Sequence, residues 1–354
     1  MESFENWDNR KLKIVGIFVV KNEWPLLALS ISHALINNCD EVIVIDNGSS
    51  DSSVAGMRKL QKLFPDRLHI FEYLGPFYQA AIVGAGIRIA REIDADYCLA
   101  LDADEFLVMK SGISLKEYIT QKMLDSDYTS IRVRVENFVV PRKFNEHNLM
   151  DFAAINFRAN PTQNQISASP SDLIRMITSN EIGILENHFW NFKVILKMSD
   201  SAFVTPGNHQ TTKAAPIYFA SQEEIVWAHV PYRRASRVIR RNYPGGGKRA
   251  GVHYKLLEAL AIGKTDDELW SLVSLDENNQ NPRIPLSEDS SLSSSLLPII
   301  EQLFPIWDDI SSVLTEDEFS SNAYSQTENR LLSALVDMVN LHLGKDFTDQ
   351  VQIT

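Results

Sequence analysis

Four short apolar runs separated by helix-like segments constrain the fold of this chain more than any other feature. They are Lys13–Val20, Glu41–Asp46, Leu68–Tyr73 and Tyr97–Leu101. The first, Lys-Ile-Val-Gly-Ile-Phe-Val-Val, is apolar without alternation, as a strand covered on both faces must be. Between the runs lie stretches of helical period. Pro25 suits a first helical turn. Leu26, Leu27, Ile31, Ala34 and Leu35 give the helix behind it an apolar face. Ser52–Leu63 and Gln79–Ile93 read as the second and third helices. Strand and helix alternating in this way predict parallel βαβ units, hence an α/β, doubly wound, mostly parallel sheet.

Ligands bind such sheets beyond the carboxyl ends of the strands. Polar residues stand at three of those ends: Asn22 and Glu23, Asp46 and Asn47, and Asp102 and Asp104. The fourth run closes in Leu101-Asp102-Ala103-Asp104-Glu105. Three carboxylates that close repel, and a hard divalent cation such as Mn²⁺ or Mg²⁺ relieves the repulsion. Strand alternation predicts Asp102 and Asp104 on one side and Ala103 on the other. A solvated acidic turn is the plain alternative, and it explains one strand end better than three. Two nucleotide signatures are missing. There is no Gly-x-x-x-x-Gly-Lys-Ser/Thr, and Gly84-Ala85-Gly86 falls inside the third helix, where packing is its role.

Ser114–Met123 reads as a helix, and Ile131–Phe138 alternates like a half-exposed strand with Arg132, Arg134 and Glu136 on its polar side. Pro141–Pro170 is polar and irregular, Asp172–Thr178 a short helix, and Phe192–Lys197 a strand. His209 and His229 stand beside Gly and Pro turns and are candidate metal ligands. Arg233–Arg249 is locally basic and suits phosphate or anionic lipid. Beyond Gly251, His253–Ile262, Asp266–Leu275, Leu296–Phe304 and Glu328–Leu343 read as helices, with Asn278–Ser295 as a linker. The division expected is a catalytic region, 1–250, and a helical C-terminal region, 251–354, for packing, dimerisation, or membrane or acceptor contact.

The net charge of −12 argues against a nucleic-acid partner. Cys39 and Cys98 alone make no disulfide framework, so a reducing, cytoplasmic setting is expected. Met1–Arg10 has no signal-peptide pattern, and no apolar run reaches the roughly 20 residues of a membrane span. Any membrane contact is therefore expected to be peripheral, on the inner face.

In order, Val20-Lys-Asn-Glu23, Ile45-Asp-Asn-Gly-Ser-Ser-Asp51, Leu101-Asp-Ala-Asp-Glu-Phe-Leu107, Gly207-Asn-His209 and Ala228-His-Val-Pro-Tyr-Arg233 resemble the pattern of family 2-like glycosyltransferases. The bacterial branch of surface-polysaccharide sugar transferases is the most similar. The resemblance covers residues 12–250. It implies a GT-A fold, a nucleotide-sugar donor, a glycan or lipid-linked acceptor, and inverting hexosyl transfer. It further implies that Asp46 bonds the nucleobase beside backbone near Val20 and Glu23, and that Asp102 faces ribose and metal. Asp104 would ligate Mn²⁺ or Mg²⁺, His209 or His229 would complete the shell, and Lys193 and Arg233 would meet phosphate. Many members carry a Glu-Asp pair that supplies the acceptor's base. None stands at that distance here, and Glu136, Asp151 and Glu186 are the candidates. A non-catalytic nucleotide-sugar-binding or scaffold protein is the rival reading. A nucleotidyltransferase ranks lower, because Lys21–Pro25 is not a Gly-rich basic loop.

Overall fold

The expected strands form as β1 (Ile14–Val20), β2 (Glu41–Asp46), β3 (Leu68–Glu72) and β4 (Tyr97–Leu101). This computed structural model describes residues 12–160, 192–199, 216–233, 264–282 and 284–311, with 171–172, 175–176, 179, 181, 204, 332 and 334–337. Glu186, His209, Arg234–Arg249 and the helix read over His253–Ile262 lie outside the described residues, as do Met1–Arg10 and most of Glu328–Leu343.

The sheet continues through β5 (Glu105–Met109), β6 (Ser130–Asn137), β8 (Phe192–Lys197), β9 (Ile217–Phe219) and β10 (Ile225–His229); β7 (Phe157–Ala159) lies outside it. Its order is β3-β2-β1-β4-β8-β6-β10-β5, with β9 beside β6. β1 runs parallel to β2 and β4, and β2 to β3. β8 is antiparallel to both β4 and β6, so β6 runs with β4. β10 is parallel to β6 and antiparallel to β5. One edge of the sheet therefore collects the ends of β1, β2, β4, β6 and β10 and the beginnings of β5 and β8.

Helices cover both faces. α1 (Leu26–His33) is buried on every side, and Pro25 stands just before it as its N-cap. It runs on as a π turn, Ala34–Asn38. α2 (Ser53–Gln61) and α4 (Leu115–Met123) pack into the same core, the latter opened by a Ser114–Glu117 capping box. α3 (Gln79–Glu92) covers the other face with Leu332, Leu335 and Val336. Gly86 is where α3 meets β1. A Cβ there would lie 2.7 Å from Ile17 Cγ2, so the expected packing role holds.

Residues 141–160, expected as a long polar loop, are packed instead. α5 (Leu149–Phe152) lies within them, and Phe144, Phe152 and Ile155 are buried, with the Phe144 and Phe152 rings edge-on at 5.0 Å. β7 pairs with β11 (Leu286–Glu288). α6 (Asp266–Val273), α7 (Ser291–Leu303) and α8 (Trp307–Ser311) complete the described part. α7 corrects the linker expected over Asn278–Ser295. Serines open the helix, the Asp289 side chain accepts the Ser291 amide at 2.9 Å, and Leu292, Leu296, Ile299, Ile300 and Leu303 form one buried stripe. Serine composition hides such a start, because serine also favours turns. Among the described residues no helix is long and apolar enough to cross a membrane.

Candidate functional site

From β1 the chain moves outward through β2 and β3, then returns to place β4 on the other side of β1. That reversal opens a crevice beyond the ends of β1 and β4. Two loops border it on the β1–β2 side and are stitched together. Asn22, at φ 57°, turns its side-chain oxygen to the amides of Ser50 (2.7 Å) and Asp51 (3.2 Å). The Ser53 hydroxyl accepts the amides of Glu23 and Trp24 at 3.1 and 3.2 Å. The Val20 carbonyl accepts the Asn47 amide at 2.8 Å. Asp46 is fully buried and accepts the Ser49 amide at 2.9 Å. Burial raises its pKa, and the Ser49 hydroxyl and amide oppose the rise.

The acidic stretch departs from the alternation expected of it. β4 stops at Leu101, Asp102–Asp104 is a turn, and Glu105 opens β5. Asp102 and Asp104 thus sit in the turn and pair with different cations. Asp102 pairs with Lys193 at 2.9 Å and accepts Gln79 at 3.4 Å. Asp104 pairs with Arg233 at 3.1 Å. Lys193 arrives because β8 runs antiparallel to β4 and begins at this edge. It also bonds Glu105 at 2.9 Å. Burial alone would strip the proton from Lys193, but the Asp102 and Glu105 carboxylates outweigh it and hold the ammonium charged. Glu105 is 3% exposed and accepts the Trp227 indole at 2.8 Å. Burial pushes its pKa up to about 7; Lys193 pulls it down, and Asp102 and Asp104 push it up.

Arg233 is fully buried and meets Glu23 at 3.0 Å, Asp104 at 3.1 Å, Glu146 at 3.3 Å and the Val230 carbonyl at 3.1 Å. Expected as phosphate partners, Lys193 and Arg233 are thus enclosed by carboxylates. Buried acids demand such partners. Five carboxylates, Glu23, Asp102, Asp104, Glu105 and Glu146, surround these two cations. His229 stands at the end of β10. Its Nδ1 bonds the Asn137 side-chain oxygen at 2.8 Å, and its Nε2 lies 3.7 Å from Asp104 Oδ1.

Glu136 is only 6% exposed, not on an open polar side. The register sets it opposite Ala228, and Asn137 opposite His229, so Glu136 points to the other face of the sheet from His229. There it lies 3.7 Å from Lys110 and 3.5 Å from Arg158, both of which also hold Asp289. Burial raises its pKa against those two cations. Asp151 accepts the Asn145 amide at 2.8 Å and the Asn148 side chain at 2.6 Å, holding a turn together. Asn137, Glu146 and Trp227 escape sequence reasoning, and Glu105 entered it only as the third of three clustered carboxylates. Glu105 sits inside the acidic motif and carries a signal. Glu146 lies in an irregular stretch and carries none.

Residues 17–175 match the model of glycosyl transferase family 2. No curated protein matches the chain. Among solved structures, mannosyltransferase PcManGT from Pyrobaculum calidifontis, in complex with GDP-Man and Mn²⁺, is 13% identical at a TM-score of 0.38. The match covers 97% of this chain and 84% of that one. S. aureus TarS 1–349 in complex with UDP-GlcNAc is 9% identical at a TM-score of 0.36, over 95% of this chain and 83% of that one. The order of elements and the mostly parallel sheet agree with that match: over residues 17–175 this chain is similar to glycosyl transferase family 2.

Proposed function

We propose that the protein moves a sugar from a nucleoside-diphosphate donor to a hydroxyl of a glycan or lipid-linked acceptor, with inversion, using Mn²⁺ or Mg²⁺. Surface-polysaccharide synthesis at the cytoplasmic face of the membrane is the setting proposed. Residues 1–250 would carry the chemistry and 251–354 would brace them. The observation that carries the reading is the excess of carboxylate over cation, among the described residues, at the crevice where the strand order reverses. That excess is costly unless a further cation shares it.

The residues fit such a cation in part. Among the described residues no group of three or more His, Cys, Asp and Glu side chains can hold a metal ion. Asp104 Oδ1 and His229 Nε2, however, lie 3.7 Å apart. That is too long for a hydrogen bond, and neighbouring ligands of one divalent cation stand roughly 3–4 Å apart. Asp104 and His229 would therefore hold the ion with Asp102 beside them, and His209 is a further proposed ligand. When bound, the ion supplies charge to stabilise the departing diphosphate.

The chain's own groups do the rest. The Asn22–Ser50 and Ser49–Asp46 bonds fix the loops at the nucleobase end, with Asp46 as the proposed base contact. Asn137 fixes the His229 ring so that Nε2 faces Asp104. Lys193 holds Asp102, and Arg233 holds Asp104, before any ligand arrives. Glu136 and Asp151 are committed to ion pairs and turn hydrogen bonds, so Glu186 is the base we propose for the acceptor hydroxyl. Thermal shift with a panel of nucleoside diphosphates, with and without Mn²⁺, tests the reading. One base should raise the melting temperature, and more so with Mn²⁺. A panel without effect under both conditions would overturn it. Binding without any release of sugar from the matching donor would favour the scaffold reading.

A further inference from the structure

We propose that a polar groove on the edge of the sheet opposite the crevice binds a neutral oligosaccharide. The site is separate from the crevice and does not depend on the chemistry there. β5 locates it: the strand opens at the crevice with Glu105 and ends at Met109, in the wall of a cavity of about 720 Å³. That volume is in the range of small-molecule sites. Ser290, Ser291, Ser294 and Ser295, at the start of α7, face the β5 wall. A smaller cavity of about 200 Å³ lies beside Asp40, just before β2. Asn37, Asn38 and Ser114 line both cavities and join them into one groove.

Asn37 and Asn38 come from the π turn Ala34–Asn38. Such turns are rare and recur at functional sites. Asn38 is 6% exposed, and its side-chain nitrogen donates to the Leu107 carbonyl at 2.9 Å. Its side-chain oxygen has no hydrogen-bond partner among the described residues. The Ser291 hydroxyl is a second buried group of this kind. Buried polar atoms are ordinarily paired. A ligand hydroxyl would satisfy either one.

The lining selects the class of ligand. Lys110 pairs with Asp289 at 2.8 Å, and Lys116 with Asp40 at 2.5 Å. Arg67 donates to the Cys39 and Asp40 carbonyls at 3.0 and 2.7 Å. The cations of the groove are thus committed to partners within the protein, which disfavours phosphate or a polyanion. Among the described residues no aromatic ring lines either cavity, so a nucleobase finds no face to stack on. What remains is amide and hydroxyl groups beside the apolar Leu107, Ile113 and Pro298. Hydrogen-bonding groups next to small apolar patches match the edges and faces of sugar rings. Two cavities that share a wall suit a short chain of rings better than a single one.

The test is calorimetry of the full-length protein, without donor or metal, against short neutral oligosaccharides of glucose, mannose, galactose and N-acetylglucosamine. At least one of them should bind saturably. Ser294→Trp, at an exposed position of α7, fills the larger cavity and should raise that Kd roughly tenfold or more while the native circular-dichroism spectrum is kept. Asn37→Trp, at an exposed position of the π turn, should do the same, and it serves if Ser294→Trp does not fold. Hydrogen exchange read by mass spectrometry should show the bound sugar protecting residues 107–114 and 290–298. Three results would each overturn the proposal: no binding by any of these oligosaccharides, a Kd within twofold of wild type in the folded variants, or protection confined to the crevice loops.

Discussion

Asp104→Asn is expected to lower sugar transfer on the order of 10²–10³-fold while leaving the protein folded, since groups that stabilise charge formed in a transition state carry effects of that size. The substitution keeps volume and an oxygen, and removes only the charge. Arg233 retains Glu23 and Glu146, so no buried cation is stranded and stability should change little. The loss should fall on the turnover number more than on donor KM, because charge on the diphosphate grows as the sugar bond breaks. Release of nucleoside diphosphate, followed across donor and Mn²⁺ concentrations, checks the rate, and circular dichroism checks the fold. A variant with full metal-dependent turnover would remove Asp104 from the site.

Lys193→Met should instead damage the fold, by on the order of 3–5 kcal/mol, the range for leaving a buried ion-pair partner alone. Lys193 is 3% exposed and bonds both Asp102 and Glu105 at 2.9 Å. Without it, Glu105 must ionise unpaired or stay protonated. The sign with pH follows from its raised pKa. Between the ordinary value of 4.5 and the folded value of about 7, the native protein binds more proton than the unfolded chain. Stability conferred by that proton therefore falls as pH rises through this window. Near pH 5 Glu105 is neutral in either protein, and near pH 8 only the wild type offers its carboxylate a partner. The deficit of Lys193→Met should accordingly widen from pH 5 to pH 8 in urea unfolding curves. A deficit independent of pH would show that the Glu105 pairing contributes nothing.

The sheet was legible because its cause is local. Unbroken apolar runs such as Ile14–Val20 have few alternatives to a strand covered on both faces, and Gly86 betrays a close helix–strand crossing by lying on a helical face. Three acidic strand ends likewise pointed to one edge without knowledge of strand order. The edge could not be completed from sequence. Glu146 reaches Arg233 from 87 residues away along the chain, out of a stretch whose composition reads as loop. Strand alternation does not govern Asp102 and Asp104, because the strand ends at Leu101 and a turn carries them. Glu136 followed the alternation expected of β6, but alternation does not reveal that its face is covered by β7 and the Lys110–Asp289 pair. The start of α7 was hidden because serine serves caps and turns equally well.

Most direct for the cation between the acidic turn and His229 is anomalous diffraction from a crystal soaked with Mn²⁺ and the nucleoside diphosphate that stabilises the protein most. The expected result is one strong peak within bonding distance of Asp104 Oδ1 and His229 Nε2, with the diphosphate against it. A diphosphate seated in the crevice with no peak there, and with Asp104 still on Arg233, would contradict it.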